Sequence, residues 1–314
     1  MSRYPLVPTR SHLASVVAAV VLALAAIVPS SGTVLAQGIT IDCASYLPAG
    51  TVAASPAAPV EATPGPSDAE QVAFPADGGE LTVFAAASLT AAFEAIALDI
   101  ATANPGVGIS FNFAGSQVLV TQLSEGAEAD VFASASSAQM AAAQEAGVIA
   151  GEPVVFTQNR LTIVVPADNP AGVTTYADLA GDLDLVLALP EVPVGQYARQ
   201  SICTAANDSG TYGDGFAEAV ASNVVSEEDS VKAVLTKVSL GEADAGIVYT
   251  TDITPDLADS VSAIGIPAEV NVPGQYPIAV VNGGDDALAA AFIAWVTGPD
   301  GQATLAEFGF EPKP

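Results

Sequence analysis

Two serines stand where a strand gives way to a helix, and they are the residues best placed to do chemistry in this chain. The apolar run Leu81-Thr-Val-Phe-Ala-Ala-Ala87 ends at Ser88, and from there Leu89, Phe93, Ile96 and Ile100 recur at the helical period until Asn104-Pro105-Gly106. Ser88 is thereby expected at the N-cap. Ser116 repeats the arrangement after Val107 to Phe113 and the turn Ala114-Gly115. A serine so placed either caps its own helix or turns its hydroxyl, with the free amides of the first turn, toward a ligand beyond the strand's carboxyl end. The second use favours an anion, because a helix N-terminus presents donors and partial positive charge.

Other chemistry is thinly supplied. The sole histidine, His12, lies in the N-terminal leader, so the rest of the chain offers no Ser-His-Asp triad, Cys-His pair or histidine-bound zinc. Paired carboxylates of the glycosidase kind are not excluded by composition, but 35 acids make chance pairs plentiful. Against these acids stand 7 basic residues, for a net charge of −28, a surface that repels nucleic acid. Beyond Arg3 and Arg10 of the leader the cations are Arg160, Arg199, Lys232, Lys237 and Lys313. An anion site would have to rest on local donors and dipoles.

The elements that position these serines alternate in type. Ala129 to Ala133 reads as the next strand and Ala138 to Ala146 as a helix stopped by Gly147, which makes a serial βαβ pattern with a mostly parallel sheet. After a buried strand at Arg160 to Pro166 the pattern restarts. Leu183 to Leu189 is a strand and Pro190 to Gly195 turns into a helix carrying Tyr197 and Ile202. Phe216, Val220 and Val224 share one helix face, Ser230 to Leu240 forms another helix, and a strand ends at Tyr249. Tyr276 to Val281 is a further strand, followed by helices to Phe310. Turn residues at Asn159-Arg160 and near Pro273-Gly274 mark two crossings between lobes.

Residues 1–36 read as a secretory signal peptide, with Arg3 and Arg10, an apolar run from Leu13 to Val28, and Val34-Leu35-Ala36 before Gln37. Residues 37–78 form an N-terminal extension whose Pro- and Ala-rich part, from Pro48, reads as a tether. Cys43 and Cys203 are the only cysteines, and in an exported chain one disulfide between them is the natural use.

Six stretches taken in order resemble the periplasmic molybdate-binding proteins of ABC importers. They are Val83 to Leu89, Phe113 to Ser116, Ala129 to Ala133, Val192 to Ala198, Gly241 to Tyr249 with Asp252, and Tyr276 to Val281. The resemblance implies a two-lobed α/β fold of the type II periplasmic-binding class, two mostly parallel sheets flanked by helices and joined by a two-strand hinge. Lobe I would comprise residues 79–158 and 275–314, and lobe II residues 159–274. Carried over by motif, the ligand-binding residues would be Ser88, Ser116, the backbone at Val194 and Val231, and the Tyr249 hydroxyl. The ligand would be molybdate or tungstate, with no cofactor and no catalysis; the partners would be permease subunits rather than nucleic acid, and the receptor a monomer in the periplasm or on the outer face of the cytoplasmic membrane. Sulfate or thiosulfate binding, a secreted carbohydrate-active enzyme using a carboxylate pair, and an adhesive or structural surface protein are the alternatives. Three departures stand out: Val194 where a smaller residue is usual, Gln117-Val118 after Ser116, and Lys232 where arginine is frequent.

Overall fold

Small and β-branched residues in short uninterrupted runs build two sheets, and helices with one apolar face cover them. The structure, a computed structural model, describes residues 39–47 and 72–313. The expected signal peptide and most of the tether lie outside the described residues. The elements in order are α1 (Cys43–Tyr46), β1 (Gly79–Ala86), α2 (Thr90–Ala103), β2 (Val107–Ala114), α3 (Ser116–Ser124), β3 (Val131–Ala133), α4 (Ser137–Glu145) and β4 (Ile149–Asn159). Then come β5 (Leu161–Pro166), β6 (Leu185–Ala188), α5 (Pro193–Ala206), α6 (Ser209–Tyr212), α7 (Phe216–Ser222), β7 (Val224–Glu228), α8 (Val231–Ser239), β8 (Ala245–Tyr249) and β9 (Val261–Gly265). The chain ends with β10 (Gly274–Val281), α9 (Asp286–Thr297), α10 (Pro299–Glu307) and β11 (Glu311–Pro312).

The first sheet has the order β11-β4-β10-β3-β1-β2 and the second β7-β6-β8-β5-β9. The expected α/β architecture is present, but the sheets are mixed rather than mostly parallel. β1 runs parallel to β2 and β3, whereas β10 is antiparallel to β3 and β4. In the second sheet β6 is parallel to β7 and β8, and β5 is antiparallel to β8 and β9. The antiparallel members come from the crossings: β4 ends at Asn159 in one sheet, β5 begins at Leu161 in the other, and Asn159 pairs with Gly274 where β10 returns.

Four strands escaped the periodicity, one of them the two-residue β11 at the chain's end. β4 and β9 carry exposed and buried residues in no clean alternation, and β7 was read as helix because Val224 continues the spacing of Phe216 and Val220. The helix stops at Ser222, and Val224 opens an edge strand beside β6.

Behind β1 and β10 the core is aromatic. Phe93 meets Phe111, Phe156 and Phe292 with ring centres 5.7 to 6.1 Å apart, and Tyr276 packs edge-on against Phe156 and Phe310. Such rings contribute roughly 0.5–1.5 kcal/mol per pair beyond their buried area, so the strands carrying Ser88 and Tyr276 rest on a stiff base. At the N-terminal end, Cys43 and Cys203 are joined by a disulfide with Cα atoms 5.3 Å apart, which holds α1 against α5.

Candidate ligand-binding site

The carboxyl ends of β1 and β2 and the first turns of α5 and α8 face one another across a small cavity. It is lined by Ala86, Ala87, Ser88, Ala114, Gly115, Ser116 and Ala135 from one side and by Val192, Pro193, Val194, Val231 and Tyr249 from the other. All five residues singled out in the sequence meet there. No lining residue is charged. The free volume is about 10 Å³, at the lower limit of the roughly 10–15 Å³ that one ordered water needs, so the two sides lie nearly closed on each other and the space holds nothing extended.

Ser88 is not the N-cap of its helix. It sits inside a single 3-10 turn, Ala87–Leu89, and α2 starts only at Thr90 with Leu89 as a cap that makes no side-chain bond. The hydroxyl, freed from capping, lies 2.9 Å from Tyr276 Oη. Ser116 is the first residue of α3, after Gly115, and its Oγ accepts a 3.0 Å bond from the Ala135 amide. Both serines are buried.

From the other sheet come two helix starts and one phenol. Val194 and Val231 fall in the first turns of α5 and α8, where amides have no partner within the helix. Pro193 opens α5 without an N–H to waste, and the Ser230 side chain caps α8 by accepting from Ala233 N. Gly195 lets the first turn of α5 close onto the end of β6: a Cβ there would lie 2.1 Å from Leu189 O and 2.5 Å from Ala188 O. Arg199, fully buried beneath this turn, donates to Ala188 O at 2.7 Å and Gly195 O at 2.8 Å and pairs with Glu227. Burial lowers its pKa and the Glu227 carboxylate opposes the shift. It braces the donor turn and does not line the cavity.

Tyr249 ends β8 with its hydroxyl buried and, among the described residues, without a hydrogen-bond partner. Burial pushes its pKa well above the ordinary phenol value, so it stays protonated as a donor. Its backbone is fixed by Asp252, whose Oδ2 accepts from Tyr249 N at 3.1 Å, while Lys232 Nζ lies 3.1 Å from Asp252 Oδ1. Burial raises the Asp252 pKa and the lysine opposes that. Lys232 thus ties the start of α8 to the turn after Tyr249.

Sequence reasoning missed the second layer. Asn159 and Tyr276 were visible only as a turn residue and a strand residue, and their side-chain bonds join positions 117 apart. Gln117, one of the noted departures, reaches across the cleft to donate to Asp229 O at 2.8 Å, and Gln139 donates to Glu191 O at 2.9 Å.

A site of hydroxyls and helix-start amides, with no charged lining residue, fits an anion that only accepts hydrogen bonds. The molybdate-binding protein ModA of Mycobacterium tuberculosis (strain H37Rv) is 40% identical to this chain over 85% of it and 94% of that protein. ModA of Haemophilus influenzae is 32% identical over 76% of this chain and 92% of its own. The periplasmic molybdate-binding protein of Azotobacter vinelandii superposes with a TM-score of 0.64 at 20% identity, over 74% of this chain and 100% of that one, a likeness of fold alone. The family model for bacterial extracellular solute-binding proteins matches residues 81–311, which hold both sheets and every lining residue of the cavity, and the chain belongs to that family.

Proposed function

We propose that this protein is the extracytoplasmic receptor of a molybdate ABC importer, taking molybdate or tungstate between two lobes and delivering it to membrane permease subunits. The observation that carries this is the uncharged cavity at which two hydroxyls from one sheet face two helix starts and an unpartnered phenol from the other. A tetrahedral dianion accepts at all four oxygens, and every group named here can donate. Hydrogen phosphate carries a proton that needs an acceptor, so it is disfavoured, while sulfate must be rejected on size. The relatives' names support the choice of ligand.

The lobes in this reading are residues 79–158 with 275–314 and residues 159–274, supported by the division of strands between sheets. Export under the N-terminal signal, monomeric action and release of unchanged ligand complete it. Calorimetry with molybdate, tungstate, sulfate and hydrogen phosphate tests it, together with mass spectrometry of ligand retained on native purification. Molybdate and tungstate should bind at one site per chain, and equal or tighter binding of sulfate would remove the assignment while leaving the family intact.

A further inference from the structure

Which way a serine points its proton is decided by what its oxygen already accepts. Asn159 and Tyr276 are fully buried, and neither lines the cavity. The Arg160 amide donates to Asn159 Oδ1 at 2.9 Å. A main-chain N–H can only donate, so the side-chain amide has one orientation. Its Nδ2 then donates to Thr251 Oγ1 at 2.7 Å and Tyr276 Oη at 3.4 Å. Asn159 Nδ2 can only donate, so among the described residues the one acceptor in hydrogen-bond geometry for the Tyr276 proton is Ser88 Oγ, 2.9 Å away.

We infer that Asn159 and Tyr276 form a one-way hydrogen-bond relay that locks Ser88 as a donor toward the cavity, making them positioning residues that set selectivity against protonated oxyanions. Ser116 reaches the same polarity by a shorter route, through the Ala135 amide. The relay starts where β4 crosses toward β5 and passes through β10, the returning strand, so the crossing itself orients the ligand donor. This rests on the oxyanion reading above.

A double-mutant cycle tests it, with molybdate as the probe and calorimetry as the readout. Ser88→Ala should weaken binding about tenfold or more, the effect of losing one bond to a charged acceptor. Tyr276→Phe should weaken it less, and in the Ser88→Ala background it should change affinity by under about twofold, since a relay acts only through its terminal hydroxyl. Equal effects of Tyr276→Phe in both backgrounds would mean general packing and would overturn the relay. Asn159→Asp is the second arm. A carboxylate accepts from Tyr276, which then accepts from Ser88, so a serine lone pair faces the cavity. At mildly alkaline pH molybdate and hydrogen phosphate are both dianions, and the new buried charge acts on both alike. The preference for molybdate over phosphate should fall about tenfold; an unchanged ratio overturns the relay. Tight molybdate binding by the parent with an additive cycle and an unchanged ratio refutes the relay alone, whereas a parent that binds no oxyanion refutes the function.

Discussion

Replacing Tyr249 by phenylalanine should move binding and stability in opposite directions. The ring keeps its packing, with its centre 5.8 Å from that of Tyr276, and only the hydroxyl is removed. That hydroxyl is buried and has no hydrogen-bond partner among the described residues. A bond to a charged acceptor contributes about 1.5–3 kcal/mol, so the dissociation constant for molybdate should rise by roughly 10- to 150-fold. In the ligand-free protein the same hydroxyl makes no hydrogen bond of ordinary geometry among the described residues, and a buried unpaired group costs about 1–3 kcal/mol. Its loss should leave the melting temperature unchanged or raise it, by roughly 2–4 °C per kcal/mol at this size. Titration calorimetry and thermal unfolding with and without molybdate read both effects. A ligand-free variant that melts several degrees lower than the parent would show the hydroxyl engaged in holding the fold, and the argument that it is reserved for ligand would fail.

Ser116→Ala should weaken molybdate binding by a similar 1.5–3 kcal/mol or so but also lower ligand-free stability, because the Ala135 amide loses its acceptor; calorimetry and melting curves separate it from the tyrosine variant. Saturating molybdate should reduce the radius of gyration and raise the melting temperature, since donors from both sheets must converge on one ligand; superimposable scattering curves would contradict this. Replacing Cys43 and Cys203 by serine should lower the unfolding free energy by less than the roughly 5 kcal/mol that chain entropy allows for a long loop, because α1 can detach while the sheets stay folded, and affinity should hold within about threefold; denaturant titration and calorimetry read both, and two titratable thiols in the unreduced parent would remove the premise. Asp178 accepts from the Thr174 and Thr175 amides at 2.8 Å each, which lowers its pKa. As pH falls the unfolded chain protonates first, so this stabilisation is present above the ordinary aspartate range near about 4 and is lost below it. Asp178→Asn should reduce stability at neutral pH and flatten the acid limb of the melting profile.

Ser88 and Ser116 were legible from local chain grammar, a turn after an apolar strand, whereas Val194, Val231 and Tyr249 came only from the resemblance of their motifs; the structure brings all five to one cavity. Ser88 shows where that grammar stops. Its place at a strand end was readable, but the 3-10 turn that delays the helix to Thr90 was not, nor was the contact of its hydroxyl with Tyr276, 188 residues away. Val224 misled for the opposite reason: it fits the helix of Phe216 and Val220 by spacing, and only pairing with Leu185 of β6 makes it a strand. β4 was missed because a crossing strand leans on different neighbours along its length, with Phe156 buried and Val154 exposed, so neither period survives. Gln117 looked like a departure from pattern, and its reason lay across the cleft at Asp229.

The disulfide decides where a mechanical load enters the molecule. Along the main chain, residues before Cys43 connect to the first sheet at Gly79, the first residue of β1, after Phe74 has packed on Trp295. Through the sulfur bridge they connect at Cys203, on the helix whose first turn carries Val194. Counted in sequence, the residues between Cys43 and Gly79 can span up to roughly 120 Å at about 3.4 Å each, far more than the bridge, so tension on the N-terminal end reaches α5 before it reaches β1. Were the chain held at a surface by its leading residues, the half of the protein bearing Tyr249 would be the moored half, and the half bearing Ser88 and Ser116 would be the one that swings. Reducing the bridge would exchange those roles without altering a single group at the cavity.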